Sequence, residues 1–202
     1  MREQIIKKSA ELFLTLGFKS VTMDDIANEM GISKKTIYVH FENKTKLVEA
    51  TTLQMFEIIS HGIEGICQLK KNPIEEIYDI KNLVMEHLKG EKSSPHYQLQ
   101  KYYPKIFNSL KSKQYCIMQE CVSDNLKRGI DLGLYRVSLE IEFVAKIYFT
   151  CMMALKDKEL FPLNNFSMQT LMNHYLEYHL RGICTPKGLE NLSKIVNNQS
   201  NQ

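Results

Sequence analysis

The stretch "TMDDIANEMGISKKTIYVHF" constrains the fold most, because it specifies two short helices joined by a tight turn. Thr22 and Asp25 have the spacing of a capping box at the start of the first helix. Gly31 ends that helix, and Ser33 can cap a second helix over about residues 34–40. Two helices connected in this way match the helix-turn-helix pattern.

The second of these helices separates an apolar anchor from an outward face. At about 100° per residue, Ile37 and Phe41 fall on one side, and Lys35 and Val39 fall nearly opposite. Lysine can donate to guanine edges or phosphates, and a small apolar side chain can contact a thymine methyl. The outward face therefore suits a DNA groove, although the same pattern also fits a capped amphipathic helix with a solvated lysine face.

Charge is concentrated in the same region. The net charge of +3 over 202 residues does not describe a globally basic nucleic-acid binder. Residues 33–46 contain four lysines and one glutamate, which is a local charge of +3. This patch predicts an affinity for DNA that falls steeply with salt, because phosphate contacts release counterions.

Helical spacing continues along the rest of the chain, with no convincing alternating strand, so we predict an all-α fold. A helix over residues 2–16 precedes the helix-turn-helix, and Asn43 caps a fourth helix from Lys44 to about residue 70. Further helices are predicted at about 74–89, 96–103, 105–130, 138–157 and 167–181. Loops are predicted at 90–95 and 157–167, and a frayed tail at 197–202.

These elements predict two domains. Residues 1–45 form an N-terminal three-helix domain that contains the helix-turn-helix, and residues 46–202 form a larger helical bundle. The fourth helix belongs to both parts, so we expect a mechanical connection between them rather than a flexible tether.

Several classes of protein are disfavoured. No apolar run approaches the roughly 18 residues of a membrane span, and the charged first residues lack a signal-peptide apolar block, so we expect a cytoplasmic protein without a membrane partner. The five cysteines form no CxxC pair, and their odd number favours free core or pocket thiols over a disulfide framework. Without HExxH, G-x-S-x-G, a P-loop or a metal-ligand set, we expect no catalysis, metal or cofactor.

The segment "VTMDDIANEMGISKKTIYVHFENKTKLV", residues 21–48, resembles the DNA-binding segment of TetR-family transcriptional regulators. The preceding segment, residues 10–22, also fits the pattern of the family. The resemblance covers about the first 48 residues and rests on these matching positions: Thr22, Ile26, Ala27, Gly31, Thr36, Ile37, Tyr38, His40, Phe41, Lys44 and Leu47.

The resemblance implies roles for individual residues at the DNA. The variable positions that face bases in the family are occupied by Lys34, Lys35, Thr36 and Val39. The positions that usually contact or orient phosphates are occupied by Thr22, Ser33, Tyr38, His40 and Lys44. Many relatives have a small residue where Lys35 stands, which leaves the base preference open. His40 is expected to project towards the core side, so a packing role competes with a DNA role.

The resemblance also implies a homodimer on double-stranded operator DNA, formed through the last two long helices. Apolar stripes in these helices allow such a dimer, and the alternative is that they only close the core of one monomer. The stripes consist of Ile141, Val144, Ala145, Tyr148, Phe149 and Met152 in the first helix, and Leu171, Met172, Tyr175, Tyr178 and His179 in the second.

By the same resemblance, the bundle holds a pocket for a small, largely apolar effector that releases a repressor from its operator. The predicted lining residues are Tyr102, Tyr103, Phe107, Met118, Cys121, Tyr148, Met152 and Met153. A helix-turn-helix regulator without an effector is the alternative, and an enzyme is strongly disfavoured.

Overall fold

A computed structural model describes residues 1–88, 95–157, 159–162 and 165–200. For residues 198–200 it describes the backbone alone. The helices in these residues are α1 (Arg2–Leu16), α2 (Met23–Met30), α3 (Lys34–His40), α4 (Lys44–Gln68), α5 (Pro73–His87), α6 (Pro95–Tyr102), α7 (Pro104–Asp131), α8 (Ile141–Ala154), α9 (Met168–Ile183) and α10 (Pro186–Ser200). The described residues contain no strand, only an isolated antiparallel bridge between Tyr135 and Cys184. The predicted all-α fold is confirmed.

The chain divides into two compact units. The amino-terminal unit comprises Met1–His61 and Glu86–Lys113, and the carboxyl-terminal unit comprises Gly62–Met85 and Gln114–Gln202. Because α4 continues through residue 45 and ends at Gln68, its two ends belong to different units. The division of function at residue 45 stays a prediction.

Local capping signals set the helix boundaries near the amino terminus. The Asp25 N–H donates to Thr22 Oγ1 at 3.1 Å, and the Thr22 N–H donates to Asp25 Oδ2 at 2.7 Å, which completes the capping box of α2. Gly31 follows α2 with φ 62°, a left-handed conformation that glycine adopts without a steric cost. Asn43 Oδ1 accepts the Lys46 N–H at 3.0 Å and caps α4 as predicted.

The sequence-based prediction is wrong at the end of the chain. Residues 197–200, which we expected to fray, continue α10, and that helix was not predicted at all. Its Leu192 is fully buried, so tertiary packing stabilises a helix whose polar sequence gave little sign of it. Of the predicted loop at 90–95, Pro95 begins α6, and residues 90–94 lie outside the described residues, as do residues 158, 163–164, 201 and 202 of the other predicted loop and the tail.

The amino-terminal unit has a core built from the short helices and the turn between α1 and α2. The Phe13 and Phe18 rings lie 4.8 Å apart, and Phe18 meets Tyr103 edge-on at 6.2 Å. Its other buried apolar side chains are Ile5, Ile6, Val21, Met23, Ile26, Ala27, Ile37, Phe41, Leu47, Val48, Leu99, Ile106 and Phe107.

The carboxyl-terminal unit has an apolar core that contains a buried polar network. Asn125 Nδ2 donates to Glu76 Oε1 at 2.8 Å, and Tyr135 Oη donates to Asn125 Oδ1 at 3.2 Å. Arg128 pairs with the same carboxylate, which is fully buried. The surrounding apolar core consists of Ile74, Ile77, Tyr78, Leu126, Leu134, Val144, Tyr148, Leu176, Leu180, Ile183, Cys184 and Leu192.

Candidate nucleic-acid interface

Helix α3 is fixed to the amino-terminal unit by one face and leaves the other face in solvent. Ile37 is 0% exposed and Phe41 is 4% exposed, so both anchor residues lie in the core as expected. On the opposite side, Val39 is 75% exposed and Tyr38 is 45% exposed. Exposure of these two side chains does not stabilise the folded monomer, and it leaves their surfaces accessible to a partner.

The start of α3 is held by its own hydroxyl groups. Ser33 Oγ accepts the Thr36 N–H at 3.1 Å, and the Ser33 and Thr36 hydroxyls lie 2.8 Å apart. The hydroxyl of Thr22 caps α2 in the same way. These three predicted DNA contacts therefore already have a structural role, and their DNA contacts stay predictions.

The lysines of the region differ in their partners. Lys34 pairs with Asp24 at 2.7 Å, an exposed contact that raises the pKa of Lys34 through a hydrogen bond. Lys46 pairs with Glu49 at 2.9 Å. Lys35 is exposed and makes no ion pair within the described residues. Of the two lysines of α3, Lys35 can therefore contact DNA without first breaking an ion pair with a carboxylate.

Lys44, at the first position of α4, is held against the turn before α2. Its Nζ donates to the carbonyl oxygen of Lys19 at 3.3 Å. Burial lowers the pKa of Lys44, while the Asp25 carboxylate acts in the opposite direction. Lys19, which we did not predict as a site residue, thus fixes Lys44 through its backbone, while its own ammonium group lies 5.4 Å from the centre of the Tyr102 ring.

The expectation that His40 projects towards the core is wrong. His40 is exposed, and it is the last residue of α3. Phe41 then takes an extended conformation, with φ −137° and ψ 114°, and enters the core in its place. The packing role is excluded, whereas a contact of His40 with DNA stays a prediction.

The apolar stripes of α8 and α9 are divided between core and surface. Val144, Ala145, Tyr148 and Phe149 are buried within the monomer, so they close its own core rather than offer a free surface. Other apolar residues, which we did not select in α8, are exposed: Phe143 at 62% and Ile147 at 42%. On α9, the predicted Tyr178 is 79% exposed, and Leu171 and Met172 are buried.

The predicted effector-pocket residues belong to both units. Tyr102, Tyr103 and Phe107 lie in the amino-terminal unit, where Tyr102 is exposed and Phe107 is buried. The other five lie in the carboxyl-terminal unit, where Met118 and Met152 pack against the core that contains Tyr148, Met153 is partly exposed, and Cys121 contacts Cys67. That all eight line one pocket stays a prediction.

A different, open depression of about 490 Å³ lies along one face of α7. Its lining residues are Cys116, Gln119, Glu120, Ser123, Asp124 and Lys127. None of the predicted pocket residues lines it.

Within the part of the chain that the structure describes, no three His, Cys, Asp or Glu side chains are placed to hold a metal ion. None of the described helices has both the length and the apolar character to cross a membrane.

Comparison with known proteins extends this description. Residues 5–51 match the tetR family of bacterial regulatory proteins. The chain is 47% identical over 47 residues to YerO, an HTH-type transcriptional regulator of Bacillus subtilis, and the match covers 23% of this chain and 16% of YerO. It is 32% identical over 63 residues to IcaR, the negative transcriptional regulator of the biofilm operon icaADBC in Staphylococcus aureus, with 31% of this chain and 34% of IcaR covered.

The matched segments thus span well under two thirds of either relative. Over a greater length the fold is shared with KstR2, a ketosteroid transcriptional regulator of Mycobacterium tuberculosis, with a TM-score of 0.60 at 19% identity over 91% of this chain and 95% of that one. The amino-terminal residues 5–51 are therefore similar in sequence to the tetR family of bacterial regulatory proteins, and most of the chain shares the fold seen in KstR2.

Proposed function

We propose that the chain is a sequence-specific DNA-binding transcriptional regulator that reads the major groove with α3. The observation that carries this proposal is the exposed face of α3, with Lys35, Tyr38 and Val39 directed away from the buried Ile37. A lysine, a phenol and a small apolar side chain supply a base-edge donor, a phosphate donor and a contact for a thymine methyl. The capped amino terminus of α4 adds a further phosphate site near Lys44.

Selection of bound duplexes from a random pool tests this proposal, because the selection itself identifies the operator sequence. On the selected DNA, Lys35→Ala should change the preference at one base pair by about 1–3 kcal/mol. Tyr38→Ala should weaken binding to operator and non-operator DNA alike. Lys111→Ala, which removes an exposed lysine from α7, is the matched control and should change neither. If the selection enriches no sequence, the proposed sequence-specific DNA binding is contradicted.

We further propose that the regulator is a dimeric repressor. The negative regulator IcaR shares its amino-terminal segment, which supports repression. Dimerisation through α8 and α9 is supported by the exposed apolar side chains Phe143, Ile147 and Tyr178. These two helices pack together, since the Tyr148 ring lies 5.2 Å from that of His179. A two-fold dimer places two α3 helices on paired half-sites and so increases specificity.

Sedimentation measurements on single variants test the dimer. Phe143→Asp and Tyr178→Asp should each shift the protein towards monomer, because each places a charge in an apolar interface. Val137→Asp is the control, since Val137 is 85% exposed but lies outside both helices. If all three variants sediment as the wild type does, the dimer does not form through these helices.

We also propose that a small, largely apolar effector releases the repressor by favouring a dimer geometry that no longer fits successive major grooves. Methionine side chains at Met118, Met152 and Met153 support this, since methionine adapts to varied apolar ligands. The alternative is a regulator without an effector. A compound screen by thermal shift, followed by DNA-binding assays, decides between the two: compounds that stabilise the protein but leave DNA affinity unchanged favour the alternative.

A further inference from the structure

Two thiols from different helices lie against each other in the carboxyl-terminal unit. Cys67 is in the last turn of α4 and Cys121 is in α7, 54 positions later, yet their Sγ atoms are only 2.8 Å apart. A disulfide bond requires about 2.0 Å, so the two atoms need to approach by about 0.8 Å. Both cysteines are free and partly exposed, so a small solute can reach them.

The surroundings give the two sulfur atoms different acidities. The hydrogen bond from Cys121 lowers the pKa of Cys67, because a donated S–H stabilises the thiolate, and burial opposes this effect. The same contact and burial raise the pKa of Cys121 well above its usual range. The Arg128 guanidinium lowers the pKa of Cys67 further, against the Glu76 and Asp124 carboxylates. Because the thiolate is the nucleophile, Cys67 is expected to attack first, and Cys121 Sγ, 2.8 Å away, is within reach of the sulfur that becomes oxidised.

A metal site is the main alternative use for two adjacent thiols. A structural metal site of this type needs four protein ligands, or three with one position open. The described residues offer no third His, Cys, Asp or Glu placed to join the pair. The pair is therefore arranged for chemistry between its own two sulfur atoms.

We propose that Cys67 and Cys121 form a dithiol site that hydroperoxides oxidise reversibly to an intramolecular disulfide. In the first step the Cys67 thiolate attacks one oxygen of hydrogen peroxide. The S–O bond forms as the O–O bond breaks, and the departing hydroxide becomes water by taking up from solvent the proton that Cys67 released when it ionised. The product is a sulfenic acid at Cys67.

In the second step the Cys121 sulfur attacks the sulfur of that sulfenic acid. The S–S bond forms as the S–O bond breaks, and the oxygen leaves as water with the Cys121 proton. In total the two thiols lose two electrons and two protons, and one hydrogen peroxide becomes two waters. The new bond joins the last turn of α4 to α7, and a small thiol reductant reverses it by thiol–disulfide exchange. This chemistry requires neither DNA nor the proposed regulatory function.

The test uses the full-length protein, reduced and then treated with equimolar hydrogen peroxide. Alkylation and intact-mass measurement should show a fall from five free thiols to three, and peptide mapping should join Cys67 to Cys121. Dithiothreitol should restore all five. Cys116→Ser is the matched control, because Cys116 is an exposed thiol on the same helix as Cys121, and this variant should still form the bond.

Serine variants of the pair test the order of steps. Cys121→Ser should accumulate a sulfenic acid at Cys67 that a cyclic diketone reagent traps, and Cys67→Ser should lose the disulfide and give little trapped product at Cys121. The proposal is overturned if the wild type keeps all five thiols or if mapping joins other cysteines or two chains. It also fails if Cys67→Ser still loses two thiols. Equal trapping in the two serine variants overturns the assignment of Cys67 as the attacking sulfur.

Discussion

Replacement of Arg128 by alanine removes the guanidinium that faces the buried carboxylate of Glu76. The Glu76 side chain is 0% exposed and that of Arg128 is 19% exposed, so the pair is largely shielded from water. Arg128 also donates to Asp124 at 2.8 Å and to the Lys71 carbonyl oxygen at 3.1 Å. Breaking a buried pair by removing one partner costs about 3–5 kcal/mol, because it leaves an uncompensated charge.

The expected cost of Arg128→Ala lies near the lower end of that range. Arg128 is partly exposed, so water can approach the carboxylate once the side chain is gone. Loss of the half-exposed contact with Asp124 adds little, since surface ion pairs contribute about 0–1 kcal/mol. We therefore expect the free energy of unfolding to fall by about 3 kcal/mol.

Urea unfolding at one fixed protein concentration measures this change through the midpoint and the slope. Lys127→Ala, which removes an exposed lysine from the neighbouring position of α7, is the control and should cost less than about 0.5 kcal/mol. In a double-mutant cycle, Glu76→Gln should recover part of the loss, because it removes the orphaned charge. If Arg128→Ala costs no more than the control, or if the two changes are additive, the buried pair does not stabilise the unit as argued.

Three further predictions concern stability. Thr22→Ala should lower the free energy of unfolding by about 1 kcal/mol by removing the cap of α2, whereas Ser20→Ala, in the turn before it, should be neutral in the same urea titration. Burial beside two tyrosines lowers the pKa of His179 to about 4. As the pH falls below 6.5, this histidine therefore binds a proton in the unfolded chain before it does so in the folded protein. Stability should then decrease from about pH 6.5 to pH 4, by about 3 kcal/mol in total, and His179→Gln should flatten this part of the profile. Oxidation of Cys67 and Cys121 closes a loop of 54 positions and should raise the free energy of unfolding by about 4 kcal/mol, measured with and without reductant; no change would mean that the bond strains the folded state.

The helix-turn-helix could be predicted almost to the residue because its signals act over three or four positions. Thr22 and Asp25 satisfy each other's backbone, Gly31 permits a left-handed turn, and Ile37 with Phe41 defines a buried side. Each of these effects depends on neighbours in the sequence, so the sequence carries it explicitly.

The carboxyl-terminal unit was less predictable, since its helices are stabilised by packing. Periodicity placed Val144 and Tyr148 on one apolar stripe of α8, but it did not reveal that this stripe closes the core of the monomer or that the apolar Phe143 and Ile147 are exposed beside it. Helix α10 was missed because its polar sequence has weak helical signals of its own, and it forms against α9.

The sequence by itself therefore determined the helical class, the helix-turn-helix and the exposed surface of α3. Only the tertiary structure exposed His40, placed Arg128 against Glu76 across 52 positions, and brought Cys67 to Cys121 across 54. The physical reason is distance along the chain. Capping and helical periodicity are local and repeat with a known spacing, whereas contacts between helices depend on how those helices pack, which no spacing in the sequence encodes.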